Sequence, residues 1–251
     1  LTAAIRNINH ALKIKPDYVE AHYNLGNVLK QKGDQSAAIK SYQRTITINP
    51  DYVAAHNNLG NALKEVGDLA GAIKSCNRAI EINPDYAEGH YNLGIALKEK
   101  GDFRSAITSF EQAIVIKPGY AKAHNNLGAA LQGSGDFIAA ISSFSRAIEI
   151  NPDHAEAHSN LAGVLQQNGD LKASINSYTR ALEIKPDFSS ALAHKLHEQA
   201  FICDWSAIET DRDLIPDLGV STDFATPFSM LTMEDNPSRH RQRSELFAQS
   251  K

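Results

Sequence analysis

The 251-residue chain is 42% hydrophobic and 22% charged, with a formal charge of −4 and an isoelectric point near 6.2. That is the balance of a soluble chain long enough to bury a large apolar area, and it lacks the basic excess expected of a nucleic-acid binder. No apolar run approaches the roughly 20 residues that span a bilayer, and Cys76 and Cys203 stand far apart, so a cytoplasmic protein without disulfides is expected.

Leu1-Thr2-Ala3-Ala4-Ile5-Arg6 has neither an initiator Met nor a charged-then-apolar leader, and reads as the interior of a longer chain. The phrase His-x-Asn-Leu-Gly then recurs at a fixed step of 34 residues: His22–Gly26, His56–Gly60, His90–Gly94 and His124–Gly128, with Ala162 in place of the last Gly at His158–Ala162. A constant period of that length predicts a stack of like units with no single enclosed core. Residues 1–18 supply the second helix of a preceding unit, with Ala4, Ile8, Ala11 and Pro16 in register. Five full units follow over 19–188, beginning at Val19, Val53, Ala87, Ala121 and Ala155.

Each unit predicts two helices. Leu at positions 7 and 11 (Leu25 and Leu29 in the first unit) gives the first helix an apolar stripe. Gly at position 15 (Gly33, Gly67, Gly101, Gly135, Gly169) can take the left-handed conformation that ends it. Asp at position 16 offers a carboxylate to the start of the second helix. Small residues at positions 8 and 20 let the two backbones approach, and position 24 (Tyr42, Cys76, Phe110, Phe144, Tyr178) fills the space beside them. Cys76 is therefore expected in the core. Pro at position 32 stops the second helix, and Asp at position 33 is expected to cap the next one, reinforced by Glu three residues on in Asp17/Glu20, Asp85/Glu88 and Asp153/Glu156. Gly119 breaks that pattern and predicts a looser junction. Leu93→Ala, in the middle unit, is expected to cost about 2–5 kcal/mol as a buried truncation.

After the fifth unit, 189–203 reads as one more first helix that has lost Asn-Leu-Gly, a terminal cap. Residues 204–251 leave the period. They carry Trp205, a short helical stretch over 207–214, a loop-like segment through Pro216, Gly219, Pro227 and Met233, and a polar helix opened by Asn236-Pro237 and reaching Ala248. This tail reads as the start of a following domain.

These marks resemble the tetratricopeptide repeat, with His in place of the usual Trp at position 4. The resemblance implies an all-α fold, a right-handed superhelix whose first helices line a concave wall. At about 100° per residue, positions 4, 7, 8 and 11 share one side of the first helix and position 6 lies nearly opposite. Position 6 is Asn in all five units: Asn24, Asn58, Asn92, Asn126 and Asn160. Asn is a middling-to-poor helix former, but its amide donates and accepts, as a peptide backbone requires of a partner. Helices about 10 Å apart would meet an extended peptide, at about 3.3 Å per residue, every three residues or so. The five Asn are the expected binding residues for an extended peptide or protein segment. The plainer alternative is that they bond one another or water.

The His row at position 4 shares the apolar stripe, and its members are too far apart to hold one zinc ion at about 2.1 Å, so packing is expected and no metal or other cofactor. A clamp for a partner's carboxylate needs cations among the Asn. Positions 5 and 6 carry none, and at position 2 only Lys122 is basic. Asp211-Arg212-Asp213 reads as a solvated charge run, and Gly133-Ser134-Gly135 as an inter-helix turn.

The Asn-bearing repeats followed by Phe201-Ile202-Cys203-Asp204-Trp205-Ser206 resemble the junction in O-GlcNAc transferases and their bacterial relatives, where repeats pass into the catalytic half. Pro227-Phe228-Ser229-Met230-Leu231 and Glu234-Asp235-Asn236-Pro237 are similar to the opening of that half. The resemblance implies that the Asn row receives protein substrates, and that the parent enzyme transfers N-acetylglucosamine from UDP-GlcNAc to Ser or Thr. The roughly 47 residues after Asp204 are too few for two nucleotide-binding lobes, so this segment is expected to bind without catalysing. A stand-alone scaffold or assembly adaptor is the alternative. Partners are expected to be proteins, with no nucleic acid and no membrane; self-association is left open.

Overall fold

In the computed structural model of the chain the described residues are 1–204, 206, 208, 244 and 245. Among them the fold is all-α, as the 34-residue period predicts, with twelve helices and no strand. A lone helix, α1 (Thr2–Ile14), comes first. Then follow α2 (Val19–Gln31) and α3 (Gln35–Ile48), α4 (Val53–Glu65) and α5 (Leu69–Ile82), and α6 (Ala87–Glu99) and α7 (Phe103–Ile116). After these come α8 (Ala121–Ser134) and α9 (Phe137–Ile150), α10 (Ala155–Gln167) and α11 (Leu171–Ile184), and finally α12 (Ser189–Phe201). They fall into two compact units, Leu1–Ser134 and Gly135–Lys251. The expectations for Trp205, for most of 207–214, for Asp211-Arg212-Asp213 and for the segment from Pro216 through Met233 lie outside the described residues. Of the helix expected from Pro237 to Ala248, Ser244 and Glu245 are described and are helical.

The turn inside each repeat follows from Gly and Asp. Gly33, Gly67, Gly101, Gly135 and Gly169 have φ between +82° and +88°, a region that costs other residues steric strain. With Gly33 so placed, the Asp34 N–H reaches the Leu29 carbonyl and the Gly33 N–H the Lys30 carbonyl, both at 3.0 Å, which satisfies two carbonyls at the end of α2. Asp34, Asp68, Asp102, Asp136 and Asp170 then accept from the N–H three residues on, at 2.8–3.1 Å, and cap the second helices.

The expected cap at position 33 does not form. The capping positions of α2, α4, α6, α10 and α12 are Tyr18, Tyr52, Tyr86, His154 and Phe188, one residue later, and none makes a side-chain cap bond. Three of the Asp side chains instead pair with an Arg on the second helix of the following repeat: Asp17 with Arg44 at 2.6 Å, Asp51 with Arg78 at 3.2 Å and Asp153 with Arg180 at 3.8 Å. All are exposed, and such pairs are worth little. Gly119 does not loosen its junction either. The Tyr120 N–H still reaches the Lys117 carbonyl at 3.0 Å, the bond that Tyr18 and Tyr52 make in their turns.

The core is a seam of small residues with rings set into it. Ala38, Ala72, Ala106, Ala140 and Ser174 at position 20 have no exposed surface, and Tyr42, Cys76, Phe110, Phe144 and Tyr178 at position 24 are all buried. Cys76 is a core residue as expected, and burial pushes its thiol up to about 12. The glycine at position 8 is required by contact. A Cβ on Gly26 would lie 2.5 Å from the Tyr42 ring, one on Gly60 2.6 Å from Cys76 Sγ, and one on Gly94 2.7 Å from the Phe110 ring.

The leucines contribute less than their regularity implies. Leu59, Leu97 and Leu127 are buried, but Leu25, Leu93, Leu161, Leu29, Leu63, Leu131 and Leu165 are only partly so. Leu93 rests against the edge of the cluster of Leu97, Phe110 and Leu127. Its truncation therefore leaves a smaller apolar deficit than the sequence predicts. In equilibrium denaturation Leu93→Ala should cost less than about 2 kcal/mol, whereas Gly94→Ala, which drives a methyl into a fully buried ring, should cost about 1–3 kcal/mol. Wild-type stability in Gly94→Ala would show that the seam has slack.

Candidate peptide-binding surface

In the first unit the position-6 asparagines form rungs from one first helix to the next. Asn24 on α2 is exposed. On α4 the half-buried Asn58 donates from Nδ2 to Tyr23 Oη at 3.1 Å and to Asn27 Oδ1 at 3.0 Å, both on α2. On α6 Asn92 donates to Asn57 Oδ1 of α4 at 2.8 Å. On α8 Asn126 donates to Tyr91 Oη of α6 at 3.2 Å and to its own helix at the Lys122 carbonyl at 3.1 Å. Each of these three amides turns its N–H₂ back to position 5 of the preceding repeat, 35 residues away. The rungs supply a structural reason for Asn here, of the kind the plainer alternative named, although the partners lie at position 5 of the preceding repeat. In the second unit Asn160 occupies the same place on α10 and is half-buried.

Position 5 is thus part of the surface, and sequence reasoning passed over it. Its alternation, Tyr23, Asn57, Tyr91, Asn125, was the available signal: phenol and amide oxygens both accept from an amide N–H₂. The phenols are held by tilted ring contacts. Tyr23 lies 5.0 Å from Tyr52, and Tyr91 lies 4.9 Å from Tyr120, centroid to centroid. Burial raises the pKa of Tyr91 and of Tyr120. Tyr42 reaches the same network from the core by donating to Asn27 Oδ1 at 2.8 Å, and burial holds its phenol up at about 12.

The expectation of a row without cations also needs correcting. Position 12 carries Lys30, Lys64 and Lys98, and Lys98 Nζ donates to Asn126 Oδ1 at 2.9 Å. Burial lowers the pKa of Lys98 and of Lys30. Burial acts on Lys64 too, but its bonds to Glu65 at 2.9 Å and Glu99 at 3.3 Å outweigh that and leave its pKa raised. A helical wheel limited to positions 2, 5 and 6 misses these amines because a lysine stem spans more than a helical turn.

The five histidines of position 4 do a backbone job. Nε2 of His22, His56, His90, His124 and His158 bonds the carbonyl of Pro16, Pro50, Pro84, Pro118 and Pro152 at 2.8–3.1 Å. A carbonyl only accepts, so Nε2 carries the proton. Each imidazole ties the entry turn to its own first helix, as the missing Asp cap does not. In the second unit an open cleft of about 390 Å³ lies beside His158, between α9 and α11. Its charges are matched locally, Glu149 by Arg146 and Arg180 by Glu183.

Paired helices at a 34-residue step, with a polar ladder on successive first helices, define an α-helical repeat protein of the protein-binding class. Family models described as TPR repeat match residues 1–33, 26–67, 60–101 and 96–135, and one described as Tetratricopeptide repeat matches 119–187. The chain belongs to the tetratricopeptide repeat family. Comparison with curated protein sequences returns no match. Among solved structures it is similar to MamA, at 25% identity and a TM-score of 0.59 over 64% of this chain and 95% of that one. It is also similar to YrrB, described as a TPR protein with an unusual peptide-binding site, at 20% identity and a TM-score of 0.60 over 75% and 97%. A third is PilF of Pseudomonas aeruginosa, at 16% identity and a TM-score of 0.71 over 81% and 93%. The last two show the fold alone. No helix among the described residues is long and apolar enough to cross a membrane.

The His–Pro tie is open to direct measurement. His56, the most buried of the row, should lose about 1 kcal/mol of stability on replacement by Phe, the usual net worth of one hydrogen bond. A variant as stable as wild type in urea would leave the row with packing alone.

Proposed function

We propose that the chain is a protein-interaction module that receives an extended peptide or protein segment on Asn24, Asn58, Asn92 and Asn126 of the first unit and on Asn160, at the same repeat position, of the second. The observation that carries this reading is the ladder itself. Three amides sit in fixed geometry on successive helices, their N–H₂ groups held by the neighbouring helix. A guest in this orientation meets the carbonyl edge of Asn92 and the phenol O–H groups of Tyr23 and Tyr91, which can still donate. Polar groups pre-set in this way cost little ordering on binding. The peptide-binding site named for YrrB lends the reading support by analogy of fold.

The finer reading is that this module is the substrate-recognition arm of an O-GlcNAc-transferase-like enzyme, with residues 204–251 opening the following domain. It rests on the sequence resemblance of Phe201–Ser206 and of 227–237 to that junction. The alternative is a stand-alone scaffold or assembly adaptor, to which likeness of fold to a chain of the APC/C hetero-tetramer Cut9–Hcn1 lends support by analogy, at a TM-score of 0.69 and 18% identity over 78% of this chain and 39% of that one.

Partners captured by the wild-type chain test the shared part. Asn92→Ala together with Asn126→Ala should weaken capture about tenfold, which corresponds to about 1.4 kcal/mol, with helicity retained by circular dichroism. Undiminished capture by a folded double variant would remove the groove reading. The gene sequence beyond Lys251 tests the finer part: strand–helix lobes able to hold a UDP-sugar are expected, and a stop codon would favour the scaffold.

A further inference from the structure

Three departures from the repeat pattern meet at one point in the second unit. Position 20, alanine in the first four repeats, is Ser174. Position 8, glycine in the first four, is Ala162. Position 10 of α12 is Glu198, where α4, α6, α8 and α10 carry Ala62, Ala96, Ala130 and Val164. All three residues have no exposed surface. Ser174 Oγ lies 2.8 Å from the Ala162 carbonyl and 3.0 Å from Glu198 Oε1, and Glu198 Oε2 has no hydrogen-bond partner among the described residues.

A serine hydroxyl carries one proton, and a carbonyl oxygen cannot donate. If the Ser174 proton goes to Ala162, the contact with Glu198 needs a second proton, and the glutamate carboxyl is its one source. With an ionised carboxylate, one of the two short contacts would set lone pair against lone pair, and the orphaned Oε2 would carry buried charge. With a neutral acid both contacts are hydrogen bonds, and Oε2 is a carbonyl whose isolation costs far less.

Among the described residues no counter-charge is paired with Glu198. From α11 the carboxyl faces Ser174 and the phenol of Tyr178, whose pKa burial and Glu198 both raise. On α10, Glu156 is paired with His154 at 3.2 Å and His158 with the Pro152 carbonyl. On its own helix stand His194, stacked on Tyr178 at 5.7 Å, together with Lys195 and His197. No ion pair to Glu198 forms among the described residues.

We propose that Glu198 is held as the neutral carboxylic acid and, with Ser174, forms a proton-dependent latch that seats α12 on α11. Burial, opposed by the Ser174 bond, raises this carboxyl above its ordinary value. A raised acid stabilises the folded state fully below the unfolded value. That stability is lost as pH climbs through the folded value, and the deficit is constant above it. The last helix of the array is therefore most firmly docked in acid. As Glu198 ionises, α12 loosens and uncovers the face of α11 around Tyr178 and Ala181 against which it packs.

The test is amide hydrogen exchange of α12 in the whole chain between pH 4 and pH 8, corrected for intrinsic rates, in wild type and in Glu198→Gln. The glutamine amide can donate to Ser174 without titrating. In wild type, α12 protection should fall at least tenfold over that range relative to Glu198→Gln, while α2 to α7 respond alike in both proteins. Parallel pH profiles for α12 in the two proteins would overturn the latch. Carboxyl-carbon NMR of Glu198 in the wild type reads the proton directly and does not depend on the variant folding. A carboxyl that titrates above the ordinary glutamate range is expected, and one that titrates within or below it would overturn the assignment.

Discussion

Two helix backbones touching along a seam without side chains is the constraint on which the rest of this structure stands. Gly26, Gly60 and Gly94 have no room for a Cβ, and the residues facing them at position 20 have no exposed surface. The ring or thiol at position 24 then closes the gap. Because the seam is narrow, each of these pairs closes in the same way, with the position-24 side chain set against the position-8 glycine. Regularity of packing is what turns a periodic sequence into aligned rows of side chains.

Once the rows are aligned, polar groups can bond along them. The ladder through Asn58, Asn92 and Asn126 exists because position 6 of one first helix comes within hydrogen-bond distance of position 5 of the one before. Half-buried polar pairs of this kind add modestly to stability and strongly to register, since a slip would strand each amide. The same fixing prepares a binding surface, because amides and phenols already held by neighbours need little ordering by a guest. The Ser174–Glu198 pair shows the other use of a core polar group: it appears where the repeat pattern ends and ties down one particular helix.

Much of the fold was legible in single residues. Gly33 and Asp34 end one helix and begin the next through bonds within a few residues, so the composition of the turn sufficed. Cys76 could be placed in the core because it stands where other repeats carry a ring. Asp17 misled, since Asp before a helix start resembles a cap, yet Tyr18 occupies the capping position and the carboxylate reaches Arg44, 27 residues on. Leu93 misled in another way: its periodicity marks the apolar side but does not say how deep on that side it lies. The Pro carbonyls that engage the His row have no sequence signature, because every residue has a carbonyl.

The sequence by itself determined the helix pairs, their ends and their 34-residue step, because Gly, Asp, Pro and apolar spacing act on the backbone over a few residues. Tertiary structure alone decided where each amide of the Asn row points, that Lys98 joins it, and that Glu198 lies buried against a serine. Those outcomes depend on partners 24 to 35 residues distant on other helices, which meet only after the seam has set the distance between them.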